Sequence, residues 1–269
     1  MRIVFIGDLH VGSRYSIFHP RWRNPESGIV LEGNDIQRKL YRYWAKWAEK
    51  LSPVDVMILM GDLVEGRQTR EKHGTLIIQN LQEQALAAID LLKMWKWKKL
   101  YVIRGTTYHV ETTGVHVEEY IAEKLDAVKA SRWGDRRSVI DLGLNLPSEK
   151  LSIHAAHHVG TSAIPHYQFT PIVREAWLAK MYDRYHGHYD IIARAHVHYF
   201  RIAQVSDDFL VFTTPCWQLP TPYQKRRSHF VFPDLGLVEL ETFGDGSYRL
   251  NSYLIHDIKP HREEVHLDG

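Results

Sequence analysis

Arg2-Ile3-Val4-Phe5-Ile6-Gly7-Asp8-Leu9-His10-Val11-Gly12 lies at the head of the chain, and its reading decides the fold. Ile3 to Ile6 has no polar face, the pattern of a strand covered on both sides. Two glycines then bracket an Asp-x-His turn. A strand that delivers a carboxylate and an imidazole from its carboxyl end is how an open α/β sheet furnishes a ligand crevice. The arrangement recurs downstream. An apolar run over 54–60 ends in Gly61-Asp62, and one over 100–103 ends in Arg104-Gly105-Thr106-Thr107-Tyr108-His109. A third, over 151–155, leads to His157-His158, and a fourth, over 191–193, to Ala195-His196-Val197-His198.

The segments between these runs predict helices. Asn34 or Asp35 caps one that extends to about residue 51, with Ile36, Leu40, Tyr43, Trp44 and Trp47 as its buried stripe. A second is expected over 75–95. The run Lys93-Met94-Trp95-Lys96-Trp97-Lys98-Lys99 reads as its end, with lysines complementing the helix dipole. Two successive strand–helix–strand units imply right-handed crossovers and a largely parallel sheet. After a helix near 116–125 the pattern changes. Short strands near 138–142, 151–155 and 191–193, a helix over 171–185, and alternating segments at 200–205, 209–213, 229–241 and 247–255 predict a mixed or antiparallel second sheet beside the first. Residues 13–33, rich in Pro, Gly, Arg and aromatics, are expected to cover the crevice as a substrate loop. With no repeat, low-complexity tract or linker, the expectation is one α/β domain.

At 269 residues and 44% apolar content the chain can bury a sizeable core. Lys plus Arg number 34 against 32 acidic residues, a net charge of +2, so any grip on nucleic acid must come from local clusters. A single cysteine, Cys216, excludes an internal disulfide framework, fits a reducing compartment and reads as structural. The first residues lack the order of a secretory leader, and no run approaches a membrane span. A soluble, cytoplasmic protein with no membrane partner is expected. Histidine is the outlier, at 17 residues, which favours metal or acid–base chemistry.

Asp8 and His10, two apart on an extended turn, point the same way and can reach one cation; alone, the pair also fits a simple turn cap. Asp62, set beside an apolar run, needs a positive neighbour, and a divalent ion supplies it. It is the candidate bridging carboxylate. His196 and His198 again share a side. Alternation groups His154 with His158 and sets His157 on the face of Ile153, so periodicity leaves His157 and His158 open as ligands. Mixed carboxylate and imidazole donors suit manganese first, with iron, zinc or magnesium as alternatives, and disfavour calcium. Two such ions about 3.5–4 Å apart clamp a phosphoryl group and acidify a bridging water.

Phe5-Ile6-Gly7-Asp8-Leu9-His10, Met60-Gly61-Asp62-Leu63-Val64-Glu65-Gly66, His157-His158 and Ala195-His196-Val197-His198, in this order and each at a strand end, resemble the motifs of calcineurin-like metallophosphoesterases. The resemblance implies a four-layer α-β-β-α sandwich of two mixed sheets flanked by helices, with a dinuclear centre at the sheet edges. By position, Asp8, His10, Asp62 and His198 would hold the first metal, and Asp62, His157 and His196 the second. One departure stands out. The family usually carries Gly-Asn-His-Asp or Gly-Asn-His-Glu after the third strand, its asparagine on the second metal. This chain has Gly105-Thr106-Thr107-Tyr108-His109, similar to phage-type and other divergent members. The resemblance leaves His109 as the catalytic acid or electrostatic group and Thr106 as a weak ligand or holder of a metal-bound water.

Arg14 and Tyr15, with His19, Arg21, Trp22 and Arg23, follow the first motif. Trp217 to Arg227, with Tyr223, follow the last, and Arg104 follows the run over 100–103. Arginine forks grip phosphate and aromatics stack on bases, although a solvated charged face accounts for either stretch equally well. The expected activity is hydrolysis of a phosphodiester through a dinuclear centre and a bridging hydroxide. The substrate would be DNA, RNA or a nucleotide, as in the nuclease subunit of break-repair complexes, which the chain resembles without its long coiled-coil segment. The alternatives are a phosphomonoesterase or cyclic-nucleotide phosphodiesterase. From another class, the missing asparagine suggests a non-catalytic nucleic-acid- or protein-binding module that retains the fold.

Overall fold

The computed structural model describes residues 1–68, 74–112, 115–130, 136–162, 164–206, 209–227 and 232–258. Its elements run β1 (Arg2–Ile6), β2 (Arg21–Arg23), β3 (Val30–Glu32), α1 (Asp35–Leu51), β4 (Val54–Leu59), α2 (Leu81–Leu92) and β5 (Trp97–Ile103). Then come α3 (Thr107–Val110), β6 (Glu111–Thr112), β7 (Val115–His116), α4 (Val117–Lys124), β8 (Ser138–Val139), β9 (Asp141–Leu146) and β10 (Leu151–Ala156). The remainder is α5 (Phe169–Met181), α6 (Asp183–His186), β11 (Ile191–Arg194), β12 (Ile202–Ser206), β13 (Phe209–Thr213), α7 (Pro222–Arg227), β14 (Gly236–Thr242) and β15 (Tyr248–Leu254).

Two mixed sheets form, in the orders β15-β14-β1-β4-β5-β8 and β12-β13-β11-β10-β9. Alternation along β1 shows how they stack. Val4 and Ile6 pack with Leu40 and Trp44 of α1, Ala85 and Ala88 of α2 and Ile121 of α4. Ile3 and Phe5 face the second sheet, where the Phe5 ring meets Phe212 edge-on at 5.2 Å. Ile172 and Ala176 of α5 cover the far side against Ile192 and Val211. The four layers are therefore helix, sheet, sheet, helix, the expected sandwich. The late strands β14 and β15 do not join the second sheet as expected; β14 pairs antiparallel with β1, Arg2 opposite Glu241, and extends the first.

Several local expectations shift for identifiable reasons. A reciprocal capping box starts α1: the Asn34 side chain accepts from the Gln37 N–H, and the Asn34 N–H donates to Gln37 Oε1. Ile36 lies outside the buried stripe, 37% exposed, and Gln37 turns inward to donate to the Ser13 carbonyl. Helix α2 starts at Leu81, not near 75, because residues 75–77 are zipped to the first motif: the Arg14 N–H donates to Thr75 O and the Ile77 N–H to Gly12 O. The lysine-rich run is not a helix end. Helix α2 stops at Leu92, Trp95 packs edge-on against Trp44 at 5.6 Å, and Trp97 begins β5 opposite Val54. The strand expected from His229 begins at Gly236; residues 228–231 lie outside the described residues. The expected loop over 13–33 contains the β2–β3 hairpin, and Ile17, Phe18 and Trp22 are buried in the core, the Trp22 indole N–H donating to Asp90. That segment is largely architecture.

Candidate metal centre

β1, β4 and β5 are parallel neighbours, as are β10 and β11, so within each sheet the carboxyl ends emerge together. Just past those ends the backbone turns left-handed at Asp8 (φ 51°), His10 (49°), Asp62 (51°), His196 (72°) and His198 (58°). Three other non-glycine residues among those described share that conformation, which costs an L residue roughly 1–2 kcal/mol. Concentrated strain of this kind points to a site whose geometry the surrounding structure imposes. Backbone bonds lock the turns together: the Asp8 N–H donates to Gly61 O and the His10 N–H to Asp62 O, both at 2.9 Å. Gly61, at φ +92°, permits the close approach, since a Cβ there would come within 2.7 Å of Gly105 Cα and 2.8 Å of His157 Nδ1.

Three groups of donor atoms result: Asp8 with His10 and His198, Asp62 with His157 and His196, and a third that joins His10 to Glu65 and His109; in each, the three donor atoms lie within 4.8 Å of one another. In the first, the Nε2 atoms of His10 and His198 are 3.1 Å apart, and Asp8 Oδ1 is 3.3 Å from His198 Nε2. In the second, Asp62 Oδ2 is 3.2 Å from His157 Nε2. Backbone carbonyls set the ring orientations. His157 Nδ1 lies 2.7 Å from Met60 O and His109 Nδ1 2.6 Å from Glu65 O. A carbonyl only accepts, so both Nδ1 atoms carry a proton and each Nε2 is turned toward the site. Asp8 Oδ1 and His157 Nε2 are buried with no hydrogen-bond partner among the described residues. Buried polar atoms are seldom left so, and a divalent cation in each of the first two groups would satisfy them. The donor set fits such ions.

Charge follows the same geometry. Burial pushes the Asp8 carboxyl up, but His198 and His157 outweigh it and hold Asp8 below the ordinary carboxylate range. Burial opposes Asp62 likewise, and His157, His109 and His10 bring it well below. His157 resists its own burial and rises to about 9 on the charges of Asp62 and Asp8. His196 falls to about 4 through burial and the neighbouring His157. Burial lowers His109 despite Asp62. Carboxylates held ionised beside imidazoles are ready to exchange protons for a metal.

The fate of the other sequence candidates is mixed. Thr106 sits in the centre, its N–H and hydroxyl both donating to Asp62 Oδ1, at 2.7 and 3.0 Å. His158 is exposed while His157 is buried in the second cluster. Arg14 is exposed and Tyr15 half-buried, on the loop whose carbonyl at Tyr15 accepts from the Leu219 N–H. Tyr223 is exposed on α7. Two substrate assignments fail. Trp217 is fully buried, edge-on to Trp44 at 4.9 Å and Trp47 at 5.6 Å, so its ring offers no stacking face. Arg104 is committed to Ser138 Oγ at 2.9 Å and to Glu119 at 3.6 Å.

Two carboxylates were missed. Glu65, fully buried, accepts from Gln68 and from Gln218 and lies 2.9 Å from His10 Nδ1. With its oxygens so engaged, it orients the His10 ring. Its signal was available, three residues past Asp62. Glu118, on α4, is fully buried beneath the loops. Nothing in an ordinary amphipathic helix marks it out.

The model of the calcineurin-like phosphoesterase family matches residues 1–106, from β1 to the turn holding Thr106. Over that region the chain is similar to the calcineurin-like phosphoesterases. Among solved structures, Vps29 from Chaetomium thermophilum is similar at 12% identity and a TM-score of 0.45, over 95% of this chain and 97% of that one. The purple acid phosphatase PPD1 of yellow lupin is 13% identical with a TM-score of 0.49, over 94% of this chain and 51% of its own. A dimetal phosphatase from Danio rerio is 8% identical with a TM-score of 0.47, over 94% and 95%. Likeness at this level says nothing of activity. A search of curated proteins found no match. Among the described residues no helix is long and apolar enough to cross a membrane.

Proposed function

We propose that the chain is a calcineurin-like phosphoesterase, a cytoplasmic, single-domain, metal-dependent phosphodiesterase acting on nucleic acid or a nucleotide. The observation that carries the reading is the pair of adjacent donor clusters, Asp8/His10/His198 and Asp62/His157/His196, with orphaned buried atoms in both. When bound, two divalent ions, manganese first, would polarise the phosphoryl group and supply an acidified water. The chain's own residues do the rest. Asp62, held by Thr106, would be the ligand shared by the two ions. His109 keeps Nδ1–H on the Glu65 carbonyl and so presents Nε2 to the substrate. A phosphoryl anion beside that ring offsets its burial and favours the protonated form, from which Nε2–H can be given to the departing oxygen. Arg14 and Tyr15, on the loop following His10, are the proposed substrate contacts, with Tyr223 on α7.

The test is Asp62→Asn, assayed with a chromogenic phosphodiester and its monoester in manganese. The wild type should prefer the diester, and the variant should lose on the order of 10³-fold in turnover. A monoester preference would favour the phosphatase alternative. A wild type that neither binds manganese nor turns over either compound would leave a binding module.

A further inference from the structure

Helix α4 contributes Glu118 to a place where no sequence motif calls for an acid. The residue is fully buried. Its two carboxylate oxygens accept from different loops: Oε1 from the Leu63 N–H at 3.2 Å and Oε2 from the Gly105 N–H at 2.6 Å. Leu63 follows Asp62 directly, and Gly105 precedes Thr106, whose N–H and hydroxyl hold Asp62 Oδ1. The two loops have no slack where Glu118 joins them, since a Cβ on Gly105 would collide with Asp62 and one on Gly61 would press on Gly105.

We propose that Glu118 is a positioning residue for the metal centre, clamping the Asp62 loop to the Thr106 loop so that Asp62 faces both cations at once. The choice of residue follows from the donors. Two N–H groups aimed at one side chain need two acceptor oxygens, and a carboxyl group is the side chain that offers both. A glutamine would turn its NH2 toward one of the N–H groups, and an aspartate, shorter by one methylene, would reach only one. The clamp also suits the local departure from the family's pattern. Where an asparagine would reach the second metal, Thr106 hydrogen-bonds to Asp62, so among the described residues the imidazole and carboxylate donors of the second cluster are Asp62, His157 and His196, and it depends on how Asp62 is aimed.

This inference rests on the metal-dependent reading, and the experiment separates the two. Manganese is titrated calorimetrically into the metal-free wild type, Glu118→Gln and Glu118→Asp, and melting is followed for each protein with and without manganese. The wild type is expected to bind two ions. Groups that orient metal ligands typically contribute 10–100-fold in affinity, so both variants should bind manganese at least 10-fold more weakly. Their metal-free melting should stay close to that of the wild type, because the lost acceptor is offset by removing a buried acid near Asp62 in the glutamine variant and by a retained single bond in the aspartate. The gain in melting temperature on adding manganese should shrink. Wild-type affinity in either variant overturns the proposal. So does failure of both to fold without metal, which would make Glu118 a structural prop. A wild type that binds no manganese instead overturns the metal reading itself.

Discussion

Two clusters of buried charge lie on opposite sides of the second sheet's strand ends, and they are built differently. In the candidate metal centre, Asp8 Oδ1 and His157 Nε2 are buried and, beyond ion-pair contacts of 3.3 and 3.2 Å, have no hydrogen-bond partner among the described residues, and five residues stand in left-handed backbone. Around Arg194, which is 5% exposed, the guanidinium groups are all engaged: Nε and Nη2 donate to Glu175 Oε2 at 3.2 and 3.0 Å, and Nη1 to His154 Nδ1 at 3.1 Å and to Ala193 O at 2.9 Å. The Arg194 backbone is a regular strand. Burial of charge is common to both. What separates a site from a strut is whether the buried atoms are paired within the fold or converge, strained and unpaired, on a shared point.

That distinction predicts opposite responses to substitution. The largest effect belongs to His109→Ala, which removes the ring proposed to meet the reacting group and leaves the Asp8/His10/His198 and Asp62/His157/His196 donors in place. Turnover should fall about 10²–10⁴-fold with manganese content and melting temperature unchanged, as measured by steady-state kinetics, metal analysis and thermal unfolding. Loss of metal with activity would reassign His109 as a ligand and enlarge the site at the expense of its acid.

Arg194→Ala should do the reverse. Removing Arg194 leaves Glu175, whose side chain is 26% exposed, without its partner and costs about 3 kcal/mol, the low end for a buried pair, read as a lower denaturation midpoint. Manganese affinity should be that of the wild type wherever the variant remains folded. If Arg194→Ala weakened manganese binding while leaving stability intact, the strut would have to be counted as part of the centre.

The comparison also marks what could be read before any coordinates. Asp8, His10, Asp62, His196 and His198 follow short apolar runs, so burial of a charged group at a strand end was visible in one dimension. A largely parallel sheet covered on both faces was visible too, because strands apolar on both faces demand two covering layers; the four-layer sandwich was what the family resemblance implied. Pairing was not. Whether His157 or His158 turns inward depends on where β10 ends, and His157 Nδ1 is caught by Met60 O from another sheet. Trp217 looked like a stacking residue because tryptophans beside basic runs often are; only its packing against Trp44 and Trp47 shows a core residue. Glu118 acquires meaning from two N–H groups 55 and 13 residues away, a relation no local pattern contains.

The smallest expected effect is the pH response of the paired cluster, at His154. Burial and the Arg194 charge hold its imidazole down to about 4, against the opposing pull of Asp141 and Glu175. In the unfolded chain the ring titrates near 6.5. Between about pH 6.5 and 4 the unfolded state therefore binds more protons than the folded one, so this group's contribution is fully present above 6.5 and is lost as pH falls toward 4. With the ring about one-fifth exposed, the loss should be on the order of 2–3 kcal/mol. His154→Asn keeps an acceptor for Arg194 and removes the titration. The difference in unfolding free energy between wild type and variant should be flat from pH 8 to 6.5 and should then move in the variant's favour by that amount on the way to pH 4. Histidines of the metal centre titrate in both proteins and cancel in the difference. A flat difference over the whole range would mean that Arg194 moves off the ring as it protonates, and that the strut is looser than its hydrogen bonds imply.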